Sequence, residues 1–213
     1  MTAAKPAARR YALLLALWDS DYARKAYGGY HNVFVAAFGD ASGGTDERWD
    51  CFRVIAGEFP APEELASYDG FVVSGSPRDA HGDEPWVRRL CALLRTLHAM
   101  RKRVLGVCFG HQVLCRALGG RVGRARSGWD VGVRKVTFVR GQDLAGLLSF
   151  LDVDDLPRSA SIIEVHQDEV RVDILYCAVR VVVLVRRLGR GCIGERIPHA
   201  HAECQIFAAS ADG

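Results

Sequence analysis

Short apolar runs alternate with amphipathic stretches through the first 120 residues. Tyr11–Leu17 is continuously apolar, the pattern of a strand covered on both faces. Tyr22–Phe38 winds as a helix weakened at Gly28-Gly29, and the polar, glycine-rich Gly39–Asp46 reads as a surface loop. Trp49–Ile55 alternates like a second strand, and Pro62-Glu-Glu-Leu65 puts acids in the first turn of a short helix. Gly70–Gly75 is a third buried strand that runs into a turn at Ser76-Pro77. Pro85–Arg101 has apolar residues at 86, 87, 90, 93, 94 and 97, a helical period. Arg103–Cys108 is a fourth strand, followed at once by a helix over Gly110–Leu118 that Gly119-Gly120 stops.

Strands alternating with helices in this way predict a parallel sheet with helices on both faces. Beyond Gly120 the signals shorten and turn β-like: Val131–Val139, a helix near Leu144–Leu151, then Ser161–His166. No internal repeat or long linker interrupts them. Residues 1–10 are expected to be a flexible N-terminus, residues 11–170 the main domain, and residues 171–213 an atypical, poorly ordered segment.

Composition narrows the classes of function. The chain has 213 residues and a net charge of +3, from 28 basic and 25 acidic residues. That balance makes no electrostatic case for nucleic acid or an anionic membrane. The run Tyr11–Trp18 is too short to cross a bilayer, which takes roughly 20 apolar residues, and Asp19 and Asp21 follow it in place of a signal-cleavage site. Seven cysteines with no C-x-x-C pair and no zinc-like spacing read as free thiols in a reducing compartment, so the cytosol is expected. Cys51, Cys91 and Cys115 lie on apolar faces and read as core filling.

Cys108 differs from these. Gly106-Val-Cys108-Phe-Gly110 is G-x-C-x-G, the cysteine version of a nucleophile elbow. Glycines two residues to either side allow a sharp turn, and the thiol then stands at a strand end over the N-terminus of the next helix, where thiolate is favoured. The N–H of Phe109 is aimed where an oxyanion would form. His111 points along the helix and reads as structural, and Arg186, Arg187 and Arg190 as a solvated flank.

Gly106-Val-Cys-Phe-Gly-His-Gln112 resembles the nucleophile motif of class I glutamine amidotransferases. Ser74-Gly-Ser-Pro77 is similar to the family's oxyanion loop, Gly119-Gly-Arg-Val122 to the strand after the nucleophile helix, and His166-Gln-Asp-Glu-Val170 to its H-x-D-x-V segment. Within the family, Tyr27-Gly-Gly-Tyr30, Phe71–Ala80 and Val104–Gln112 look closest to plant γ-glutamyl peptidases, which act on glutathione conjugates.

The resemblance implies an α/β three-layer sandwich with a mostly parallel, flavodoxin-like sheet, incomplete at its C-terminal edge. It implies a second oxyanion donor from Gly75 or Ser76, and contacts from Gln112 and His166 to a small-molecule γ-glutamyl substrate. It calls for no metal or organic cofactor. A partner synthetase enters only if the chain is an ammonia-delivering amidotransferase subunit.

A thiol nucleophile also needs a base and an orienting acid. In the family these come from a late His-Pro-Glu, a tripeptide this sequence lacks. Pro198-His-Ala-His201-Ala-Glu203 supplies His-x-Glu, which makes His201 and Glu203 the candidate base and orienter. The change of character after Val170 is expected to reflect an altered reading of the gene, and a chain so altered would be a non-catalytic isoform.

Overall fold

The computed structural model describes residues 8–40, 46–126, 128–137 and 159–171. Four parallel strands form the central sheet: β1 (Arg9–Leu14), β2 (Glu47–Phe52), β3 (Gly70–Val73) and β4 (Arg103–Gly106). Their order is β2-β1-β3-β4. Register is continuous across the sheet, with Leu14 opposite Phe52 and Val73, and Val73 opposite Gly106.

The period-2 geometry of β1 sends its apolar run to both faces. Ala12, Leu14 and Ala16 enter one core, with Phe71, Val73 and Val104. Helices α3 (Pro85–Ala99) and α4 (Phe109–Ala117) cover it with Leu90, Leu94, Leu97, Phe109 and Val113. Leu13, Leu15 and Leu17 enter the other core, with Val72 and Val107. There α1 (Asp21–Tyr27) and α2 (Tyr30–Phe38) supply Ala23, Tyr30 and Phe34. The expected three-layer α/β arrangement is therefore present.

Several elements differ from their sequence expectation. The 22–38 segment is two helices, because Gly28 adopts a left-handed conformation (φ 74°) that ends α1 and Gly29 (φ 113°) reverses the chain. Ser20 Oγ caps α1 by accepting the Ala23 N–H (3.1 Å), and Asp19 Oδ1 accepts the Tyr30 N–H that opens α2 (2.7 Å). The second strand ends at Phe52, and Val54–Ala56 forms a 3-10 turn closed by left-handed Gly57. Pro62–Ser67 is likewise 3-10.

The first strand also starts two residues before the apolar run, at Arg9. Arg10 can sit in the sheet because its charge is matched there. Its guanidinium bonds Asp50 (Nε to Oδ2, 2.7 Å) and Ser67 Oγ (2.8 Å), and lies 4.3 Å from the centre of the Tyr68 ring.

Past α4 the strands pair antiparallel: β5 (Arg121–Arg124) with β8 (Asp168–Arg171), and β6 (Asp130–Thr137) with β7 (Ser159–His166). The helix expected near Leu144–Leu151 lies outside the described residues. Among the described residues, no helix is long and apolar enough to cross a membrane.

Candidate active site

Cys108 is the N-cap residue of α4, with φ 52° and ψ −110°. This is a left-handed conformation that a side chain with a Cβ rarely adopts, and such strain costs on the order of 1–3 kcal/mol. The flanking glycines make it possible. A Cβ on Gly106 would fall 2.5 Å from the Gly110 carbonyl carbon, and one on Gly110 would fall 2.4 Å from Val73 O. The turn therefore closes on itself and on β3, and only hydrogen fits at either position.

The same packing joins the two loops that the sequence singled out. Val107 N–H donates to Val73 O (2.9 Å), extending the β3–β4 register one residue past the end of β4. Ser74–Ser76 and Val107–Phe109 thus emerge side by side at the carboxyl edge of the sheet. Ser74 is fully buried, accepts the Ala16 N–H at Oγ (2.8 Å) and donates to Gly75 O (2.9 Å), so the start of the loop is tied to the segment that follows β1. Gly75 is buried and Ser76 half-buried.

Phe109 is the first residue of α4, where a helix leaves backbone N–H groups without intrahelical partners. Its ring is buried against Trp86 of α3, with centroids 5.6 Å apart, which fixes the entry angle of the helix. Cys108 itself is half-buried and packs on the α1/α2 side of the sheet.

Gln112 sits one turn along α4, its N–H bonded to Cys108 O (3.1 Å). Its side chain is buried and turned toward β8, with Nε2 3.5 Å from Asp168 O, at the long limit of a hydrogen bond. His111 is held neutral-leaning, because burial lowers its pKa. His166 is the last residue of β7, opposite Asp130 of β6. His201 and Glu203 lie outside the described residues. Among the described residues, no group of His, Cys, Asp or Glu side chains could hold a metal ion.

The model of the class I glutamine amidotransferases matches residues 52–184 of this sequence. The chain belongs to this family. It is 51% identical over 162 residues to gamma-glutamyl peptidase 5 of Arabidopsis thaliana, an alignment that covers 76% of this chain and 62% of that protein. With gamma-glutamyl peptidase 3 of the same plant it is 48% identical, covering 76% and 63%. The chain thus spans less than two thirds of the length of these curated relatives. Among solved structures, a glutamine amidotransferase of Thermotoga maritima superposes with a TM-score of 0.57 at 17% identity, over 77% of this chain and 63% of that one. One from Methylobacillus flagellatus gives 0.51 at 21% identity, over 78% and 57%. At that identity the two structures speak for the fold.

In this amidotransferase fold, one cluster beside the elbow escaped the sequence reading. Asp168 is buried, with Oδ1 3.1 Å from Arg124 and Oδ2 3.2 Å from His81 Nδ1. In the sequence Asp168 stands only as part of the His166–Val170 segment, and His81 and Arg124 belong to no motif. The available signal was an acid within a short β-like segment, which must find partners if buried.

Proposed function

We propose that the chain is a cysteine hydrolase of γ-glutamyl amide bonds, of the γ-glutamyl peptidase type. The observation that carries this reading is the strained Cys108 turn beside the Ser74–Ser76 loop, in a chain about half identical to proteins named gamma-glutamyl peptidases. The Cys108 thiolate attacks the γ-carbonyl carbon, and the carbonyl electrons move onto oxygen. N–H groups of Phe109 and of Gly75 or Ser76 receive that oxyanion.

Collapse of the tetrahedral species breaks the C–N bond. The departing amine takes a proton, and water then cleaves the thioester to release glutamate and restore the thiol. His201 is the proposed proton carrier and Glu203 its orienting partner, supported by their His-x-Glu pattern. Gln112 and His166 are the proposed substrate contacts. The substrate is a small γ-glutamyl compound such as a glutathione conjugate, and the cysteine pattern supports a cytosolic setting.

The test is turnover of γ-glutamyl-p-nitroanilide, a glutathione S-conjugate and glutamine by the full chain. The expected result is release of glutamate from the first two, abolished by Cys108→Ala, with a thioester adduct on Cys108 trapped by acid quench. Hydrolysis of glutamine alone would point instead to an amidotransferase subunit. Absence of any Cys108 adduct would refute the reading.

A further inference from the structure

The loop that follows β3 is gripped from three directions. Arg116 of α4 donates to Ala80 O (2.9 Å) and Gly82 O, and pairs with Asp83 (3.2 Å). Arg124 of β5 forks onto Asp79, 2.8 and 3.0 Å from its two carboxylate oxygens, and also reaches Gln167 Oε1 (3.1 Å). Asp168 of β8 holds His81 and Arg124 together.

These last two contacts lie at ion-pair distance but off the hydrogen-bonding directions. Asp168 Oδ1 and His81 Nδ1 are buried without an aligned hydrogen bond. A buried carboxylate in that state is costly and calls for an explanation. Its surroundings supply one. Through its carboxylate Asp168 reaches the loop that continues from Gly75 and Ser76, and its main-chain oxygen faces Gln112 on the helix that begins at Phe109.

We infer that Asp168 is a positioning residue that couples the Gly75–Ser76 loop to the first turns of α4, holding two sets of backbone donors in one geometry. Its carboxylate faces the His81 imidazole and the Arg124 guanidinium, and the role assigned to it runs through these two side chains. The catalytic part of this inference rests on the proposed hydrolase reading, and the mechanical part stands on the contacts alone.

Hydrogen exchange on the full chain tests the mechanical part without any need for turnover. Asp168→Asn, and independently Arg124→Met, should accelerate exchange about tenfold or more at residues 76–82 and in the first turns of α4, while β1 and α3 keep their rates. Unchanged exchange at 76–82 would overturn the inference, and so would uniform acceleration across the chain. With γ-glutamyl-p-nitroanilide, kcat should fall about 10- to 100-fold in Asp168→Asn with KM within about twofold. A raised KM with unchanged kcat would make Asp168 a substrate contact and overturn the role assigned here. If the unaltered chain forms no acyl adduct, the hydrolase reading fails, and the exchange result still decides the coupling.

Discussion

The Gly110 Cα lies so close to the Val73 carbonyl that a methyl group added to Gly110 would sit 2.4 Å from that oxygen. One glycine hydrogen thus sets the distance between the nucleophile turn and the strand that leads to the other loop. Gly110→Ala should destabilise the fold by about 1–3 kcal/mol, the usual cost of forcing extra volume into a packed site, and should cut Cys108 chemistry more than it cuts stability. Urea unfolding read alongside turnover checks both effects. A variant with unchanged midpoint and activity would show that the turn has slack that the geometry denies.

Reactivity should sort the described cysteines. Burial raises the pKa of Cys51 and of Cys91, which keeps both as thiols near neutral pH. Brief iodoacetamide treatment at pH 7.5, followed by peptide mapping, should modify Cys108 about tenfold or more ahead of these two. Equal labelling of Cys91 would mean that α3 opens from the sheet in solution.

Tyr68 should be a late-titrating phenol. Burial first, then its hydrogen bond to Asp50 Oδ2 (3.0 Å), push its pKa up to about 12. With the folded value above the ordinary 10, its contribution to stability is complete below pH 10 and is lost as pH rises through about 12. Ultraviolet titration should show one phenolate step near pH 12, absent in Tyr68→Phe.

Asp50 gives the acid-side counterpart. Burial alone would raise its pKa, but hydrogen bonds from Arg48, Arg10 and Tyr68 outweigh that and lower it below the ordinary 3.8. Its stabilisation is therefore present above pH 3.8 and is lost as pH falls through the lowered value. Asp50→Asn should cost about 1–3 kcal/mol at neutral pH, by weakening bonds to two arginines, and should flatten the stability curve below pH 4. Melting temperatures across pH 2.5 to 7 would measure it.

The central sheet was legible because β1 and β3 carry runs apolar on both faces, Tyr11–Leu17 and Gly70–Val73, while β2 shows itself by alternation. Those runs needed no knowledge of their neighbours. The elbow was legible for a related reason: its glycines and cysteine lie within five residues, so spacing along the chain encodes the turn.

Features made by distant partners were not legible. Arg10 looks like the charged end of a tail until Asp50 arrives from β2, and Ser67 and Asp69 from the segment before β3, and draw it into the sheet. The same holds for Asp168, whose partners His81 and Arg124 belong to a loop and a strand far earlier in the chain. The split of the 22–38 helix was only half legible. The glycine pair marked a weakness, but the sharp reversal depends on Asp19 waiting to receive the Tyr30 N–H.

The backbone at Cys108 carries a further consequence. A residue held at φ 52° and ψ −110° is under tension that glycine would release. Cys108→Gly should therefore melt higher than the parent protein, by an amount worth on the order of 1 kcal/mol, while doing no thiol chemistry. Selection for heat tolerance and selection for reactivity pull this one position in opposite directions. A library screened only for thermal survival would be expected to discard the sulfur first.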